Sequence, residues 1–185
     1  MKFFLVVIIS SLLIATAVSA QPESGAITAT KAESMHKQLK DLTNFQVDTP
    51  NMVSAGLPSK THFLTMQRLG VNHVIDLIPG DRTDEAELLA SINMPYKNVA
   101  VEWNAPSLQN FIDYVAYMKE AEQSTGLVLT HCKLNWRGAV FTYLYRVTQL
   151  QHNDIIAKQH MHETWEPNRT WQAFITTVKA HYATQ

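Results

Sequence analysis

The sequence predicts a single α/β domain with a central, mostly parallel sheet flanked by helices. Short apolar strands alternate with longer segments of helical spacing, Pro, Gly and Asn punctuate their boundaries, and neither a composition shift nor an internal repeat divides the chain. The spacing of Met35, Leu39 and Leu42 predicts an amphipathic helix over 31–42. Residues 45–55 read as extended, interrupted by Pro50. Pro58-Ser59-Lys60 opens a helix whose apolar residues Phe63, Leu64, Met66 and Leu69 run to Gly70, a natural stop. NHVIDLI over 72–78 is a strand, Pro79-Gly80-Asp81 a turn, 84–92 a helix and 96–101 another strand. Asn104-Ala105-Pro106-Ser107 leads into a helix over 108–121 with Phe111, Val115 and Met118 on one face. GLVLT over 126–130 is a buried strand, and a helix is expected over 138–150. Two more helices are expected over 154–165 and 170–182, separated by Glu166-Pro167-Asn168.

The start of the chain points to export. Lys2 precedes an apolar run over 3–18, and Val18-Ser19-Ala20 supplies the small residues a signal peptidase requires. The run is short for a membrane span, which needs about 20 apolar residues, and no charged stop follows. The expectation is a signal peptide over 1–20, a domain over 21–185, and a periplasmic or secreted location with no membrane association after cleavage. Loss of Lys2 takes the formal charge from −1 to −2. A near-neutral chain without a Lys/Arg block argues against a nucleic-acid partner. Oligomeric state is not legible in the sequence.

One cysteine, Cys132, cannot form an internal disulfide. It sits in VLTHCKLNWRGAVFTYLYRV over 127–146, where a strand meets a short loop, an arginine and a helix. Ligands of open α/β sheets bind beyond the carboxyl ends of the strands. A tight loop there directs N–H groups inward, and the following helix adds its positive end. Such a place binds anions, and a thiolate is itself an anion. Arg137 adds a planar fork matched to two oxygens of a phosphate or sulfate. A thiolate facing a held oxyanion is an arrangement for covalent catalysis.

HCKLNWRGAVFTYLYRV resembles the active loop of cysteine-dependent tyrosine and dual-specificity phosphatases. SAGLPSKTHFLTMQRLGVNHVIDLIPGD is similar to the entry of a bacterial phosphatase-like family also found fused to beta-lactamase-like hydrolases. VAVEWNAPSLQNF resembles the segment that supplies the general acid. The resemblance spans about 53–147. It implies a cysteine-phosphatase-like fold and phosphomonoester hydrolysis without a cofactor. Cys132 would be the nucleophile, Arg137 the ligand of the phosphoryl oxygens, and His131 a support for the cysteine. Lys133, Leu134, Asn135, Trp136 and Gly138 would form the substrate cradle. Glu102 is the expected general acid, with Asp81 and Asp84 as alternatives whose other role is turn and helix-cap chemistry. Trp103 and Trp136 are placed to wall the pocket.

The loop departs from the phosphatase pattern in three ways. Its spacing is Cys-x4-Arg, one residue short. KLNW contains no glycine, leaving Asn135 as the residue that tolerates a left-handed conformation. Gly138 stands where a Ser or Thr follows the arginine. The shorter spacing resembles the persulfide loop of rhodanese-type sulfurtransferases. Two alternatives therefore stand beside the phosphatase: a sulfurtransferase carrying a persulfide on Cys132, and a non-catalytic module that binds an oxyanion or a phosphorylated partner. His152, His160 and His162 do not share one helix face, so no metal is expected. Met161 and Trp165 have packing spacing, and Asn168-Arg169-Thr170 matches a glycosylation acceptor triplet.

Overall fold

A computed structural model describes residues 28–184; the expected signal peptide lies outside them. The described elements are α1 (Ala29–Gln38), β1 (Gln46–Thr49), β2 (Met52–Ala55), α2 (Lys60–Arg68), β3 (Val71–Asp76), α3 (Thr83–Ser91), β4 (Tyr96–Asn98), α4 (Leu108–Ala121), β5 (Leu127–His131), α5 (Trp136–Thr148), α6 (Asp154–His162) and α7 (Arg169–Ala183). The sheet order is β1-β2-β5-β3-β4; β1 pairs antiparallel with β2 and every other pair is parallel. The expected α/β class is thus observed. None of the described helices is long and apolar enough to cross a membrane.

Local chemistry sets most boundaries. Pro50 and Asn51 separate β1 from β2, so the expected extended stretch becomes a hairpin. Ser59 and Ser107 cap α2 and α4, each in a reciprocal box with the residue three positions on, His62 and Asn110. Gly70 follows α2 with φ +96°, a conformation that suits a residue without Cβ. α1 stops at Gln38, short of the expected end, yet Leu39 and Leu42 remain buried as the chain turns beneath the sheet. β4 is shorter than expected: its pairing ends at Asn98 opposite Asp76, and beyond it only single N–H groups, of Val99 and Val101, donate to the Asp76 and Leu77 carbonyls.

Strand alternation divides the core in two. Leu127 and Leu129 of β5 face α1, α2 and α3 with Val53, Phe63, Met66, Val74 and Leu89. Val128 and Cys132 face the opposite layer, where Phe111, Tyr114, Phe141, Trp171 and Val178 bring in α4, α5 and α7. The carboxyl ends of β2, β5 and β3 lie in register, with Ala55 and Asp76 flanking His131. Cys132 therefore emerges at the centre of that edge.

Candidate active site

The loop after β5 is held from several sides. The Cys132 N–H donates to the Ala55 carbonyl at 3.2 Å, Leu57 N–H to the Lys133 carbonyl at 3.2 Å, and the Asn44 amide to the Leu134 carbonyl at 2.9 Å. Asn135 takes the left-handed conformation (φ 62°, ψ 6°) at the N-cap of α5, as the glycine-free loop requires. Its Nδ2 donates to the Asn44 carbonyl at 2.8 Å and to Ser54 Oγ at 3.0 Å. A Cβ built on Gly138 would sit 2.2 Å from Asn135 Oδ1. Two of the departures are therefore one feature: the asparagine that replaces a loop glycine fills the space a side chain at 138 would need.

Trp103, Cys132, Lys133, Leu134, Trp136 and Arg137 line a cleft of about 210 Å³. Cys132 is 1% exposed and Arg137 9%, whereas Leu134 is 44% exposed. Arg137 Nε donates to the Val101 carbonyl at 2.9 Å, and its guanidinium lies 5.5 Å from the Trp103 ring centre. Among the described residues no carboxylate pairs with Arg137. A buried guanidinium beside a thiol and a helix N-terminus is an arrangement whose charges favour an anion. A larger hollow of about 680 Å³ lies between α5, α6 and α7, but it contains neither Cys132 nor Arg137, so the chemistry is assigned to the smaller cleft.

The structure separates the expected site residues. Cys132, Arg137, Lys133, Leu134 and Trp136 meet in the cleft; Asn135 and Gly138 lie buried beneath it. Glu102 is exposed and follows Val101, the carbonyl partner of Arg137. The cleft lining contains no carboxylate, and Glu102 is next in the chain to the wall residue Trp103. Asp81 lies in the turn before α3, accepting from Thr83 N–H at 2.9 Å and Oγ1 at 2.6 Å, bonds that hold its pKa below the ordinary value. Asp84 is exposed in the first turn of that helix.

His131 points away from the thiol, into the opposite core layer. Its Nε2 is 2.9 Å from Glu85 Oε1 and its Nδ1 3.8 Å from Asp76 Oδ1. Arg82 bonds Asp76 Oδ2 at 2.5 Å and Glu85 Oε2 at 2.6 Å, and the Tyr96 hydroxyl donates to Asp76 at 3.0 Å. Burial alone would raise the Glu85 pKa, but His131 and Arg82 outweigh it and hold it below the usual glutamate value. Asp76, Glu85 and His131 offer ligand atoms within 4.8 Å of one another. Arg82 already supplies the positive charge a metal would bring. The network therefore reads as an ionic clamp on the ends of β3 and β5.

All four tryptophans gather around the cleft. Trp136 stacks on Trp165 at 5.2 Å and 12°, and Trp103 lies 5.6, 5.3 and 5.3 Å from Trp136, Trp165 and Trp171. Asn168 caps α7, accepting from Trp171 N–H at 3.2 Å. His160 lies in α6 between Asp48 at 3.6 Å and Glu163 at 3.3 Å. Glu85, Trp165 and Trp171 were not sequence candidates for the site; the expected Met161–Trp165 spacing was the one signal that touched them.

No family model and no curated protein matches the chain. Solved structures do. A phosphatase-like DUF442 protein from Shewanella putrefaciens CN-32 is 30% identical with a TM-score of 0.70, over 80% of this chain and 98% of that one. P. aeruginosa TpbA, as a Cys→Ser form in complex with phosphotyrosine, is 18% identical with a TM-score of 0.62, over 90% and 100%. The catalytic core of the PP-IP phosphatase SIW14 from S. cerevisiae, in complex with citrate, is 15% identical with a TM-score of 0.61, over 76% and 91%. With the last two the chain shares the fold.

Proposed function

We propose, from the premise that this chain belongs to the DUF442 family of phosphatase-like proteins, that it is a cysteine-dependent phosphomonoesterase. The observation that carries this reading is Arg137, buried in the cleft that holds Cys132 and without a carboxylate partner among the described residues. The Cys132 thiolate attacks phosphorus, forming an S–P bond as the ester P–O bond breaks. Arg137 and the first-turn N–H groups of α5 hold the phosphoryl oxygens. The leaving oxygen takes a proton from Glu102. Water then attacks the phosphocysteine, releasing inorganic phosphate and restoring the thiolate. Trp103 and Trp136 favour an aryl phosphate, a chemistry consistent with the phosphotyrosine bound by TpbA. The segment over 1–20 would direct the enzyme to the periplasm or beyond the cell.

The test is hydrolysis of p-nitrophenyl phosphate by the reduced protein, with Cys132→Ser alongside. Turnover that vanishes in the variant while phosphate binding persists supports the mechanism; full activity of Cys132→Ser overturns it. The four-residue span between Cys132 and Arg137 favours a second reading, sulfur transfer, for which the Cys132 thiolate would take the outer sulfur of thiosulfate, releasing sulfite and gaining the mass of one sulfur.

A further inference from the structure

We infer that Trp165 and Trp171 are positioning residues: they tie the two active-site loops to the C-terminal helices through their indole N–H groups. Trp165 Nε1 donates to the Trp136 carbonyl at 2.8 Å, and Trp171 Nε1 to the Trp103 carbonyl at 3.1 Å. The acceptors are the backbones of the two tryptophans that line the cleft. Each sits next to a residue assigned to the chemistry: Trp136 precedes Arg137, and Trp103 follows Glu102. The two loops also meet directly, through Arg137 Nε on the Val101 carbonyl and the guanidinium over Trp103. Packing alone would need only the rings; the two directed N–H bonds fix the depth at which each loop stands. Trp165 is half-buried in the connection between α6 and α7, and Trp171 is fully buried on α7, so both donors come from a part of the chain that does not itself line the cleft.

The two bonds have different consequences. Trp165 sets the arginine side and hence oxyanion affinity. Trp171 sets the loop of the proton donor and hence the sensitivity of turnover to the leaving group. The second consequence rests on the phosphatase reading; the first does not.

The experiment uses Trp165→Phe and Trp171→Phe, which keep an aromatic ring and remove the donor. Phosphate binding is followed by intrinsic fluorescence, turnover with p-nitrophenyl phosphate and with phenyl phosphate, and folding by circular dichroism. Loss of one hydrogen bond predicts about 3–10-fold weaker phosphate binding in Trp165→Phe. In Trp171→Phe, turnover of phenyl phosphate should fall about 3–10-fold more than that of p-nitrophenyl phosphate, whose leaving group needs no proton. Unchanged phosphate affinity in a folded Trp165→Phe overturns the inference, as does an equal loss on both substrates in Trp171→Phe. If both variants unfold, the indoles are core packing and the inference fails. If the wild type binds phosphate but turns over neither ester, the phosphatase reading fails while the Trp165 result still decides the positioning role.

Discussion

Gly138 offers the sharpest energetic test, because any side chain at the position where the phosphatase pattern carries Ser or Thr should damage this protein. In Gly138→Ala the new Cβ meets Asn135 Oδ1 at 2.2 Å, far inside contact distance. Relief requires the asparagine amide to swing away from the Asn44 carbonyl and Ser54 Oγ. Two hydrogen bonds of about 1 kcal/mol each are lost, and stranding the buried Ser54 hydroxyl adds about another 1 kcal/mol. Alanine in the first turn of α5 returns about 1 kcal/mol of helix preference. The net is about 2 kcal/mol of destabilisation, or about 4–8 °C in Tm for a domain of this size. Asn135→Gly loses the same bonds but escapes the left-handed strain at φ 62°, for a similar cost of about 2 kcal/mol. In the double variant nothing collides, so it should cost about 1 kcal/mol, well below the sum of the singles. Urea unfolding of the four proteins measures the cycle. A Gly138→Ala protein within about 0.5 kcal/mol of wild type, or additive singles, would refute the interlock.

Other outcomes follow from the same geometry. Arg137→Ala should weaken phosphate binding about 10–100-fold, the scale of a charge-assisted pair, as read by fluorescence titration; unchanged affinity would remove Arg137 from the site. Glu102→Gln should lower turnover of phenyl phosphate by about 10²-fold while sparing p-nitrophenyl phosphate, and equal effects on both would rule Glu102 out as the acid. Glu85→Gln breaks the contacts with His131 and Arg82 and should cost about 3 kcal/mol at pH 7. Because the folded pKa of Glu85 is depressed, its contribution is fully present above the unfolded glutamate value of 4.5 and lost as pH falls through the folded pKa. Wild-type stability should therefore fall more steeply than that of Glu85→Gln below pH 4.5, and parallel curves in acid urea titrations would contradict the clamp.

Much of the fold was open to reading in one dimension, and residue by residue the reason is locality. Ser107 three residues before Asn110, Gly70 after an apolar helix and Pro50 within an extended run each act over a few positions. The left-handed Asn135 was legible for the same reason, since a tight loop without glycine has few residues able to adopt positive φ. Cys132 and Arg137 were legible because a strand, a short loop and a helix place them on one edge whatever surrounds them.

Three features depended on the tertiary structure. His131 was expected to support the cysteine, but strand alternation turns its ring to the opposite face, where Glu85 and Asp76 receive it. Gly138 looked like a missing hydroxyl; folding makes it the space that Asn135 occupies. The tryptophans at 103, 136, 165 and 171 are scattered along the chain and converge only when α6 and α7 pack against α5. Sequence alone determined which short segments would be strands, helices and turns, and that a thiol and a guanidinium would share one cleft, because those depend on backbone preference and nearest neighbours. The partners of each buried charge, amide and indole were decided by packing between residues distant in the chain, which no local pattern encodes.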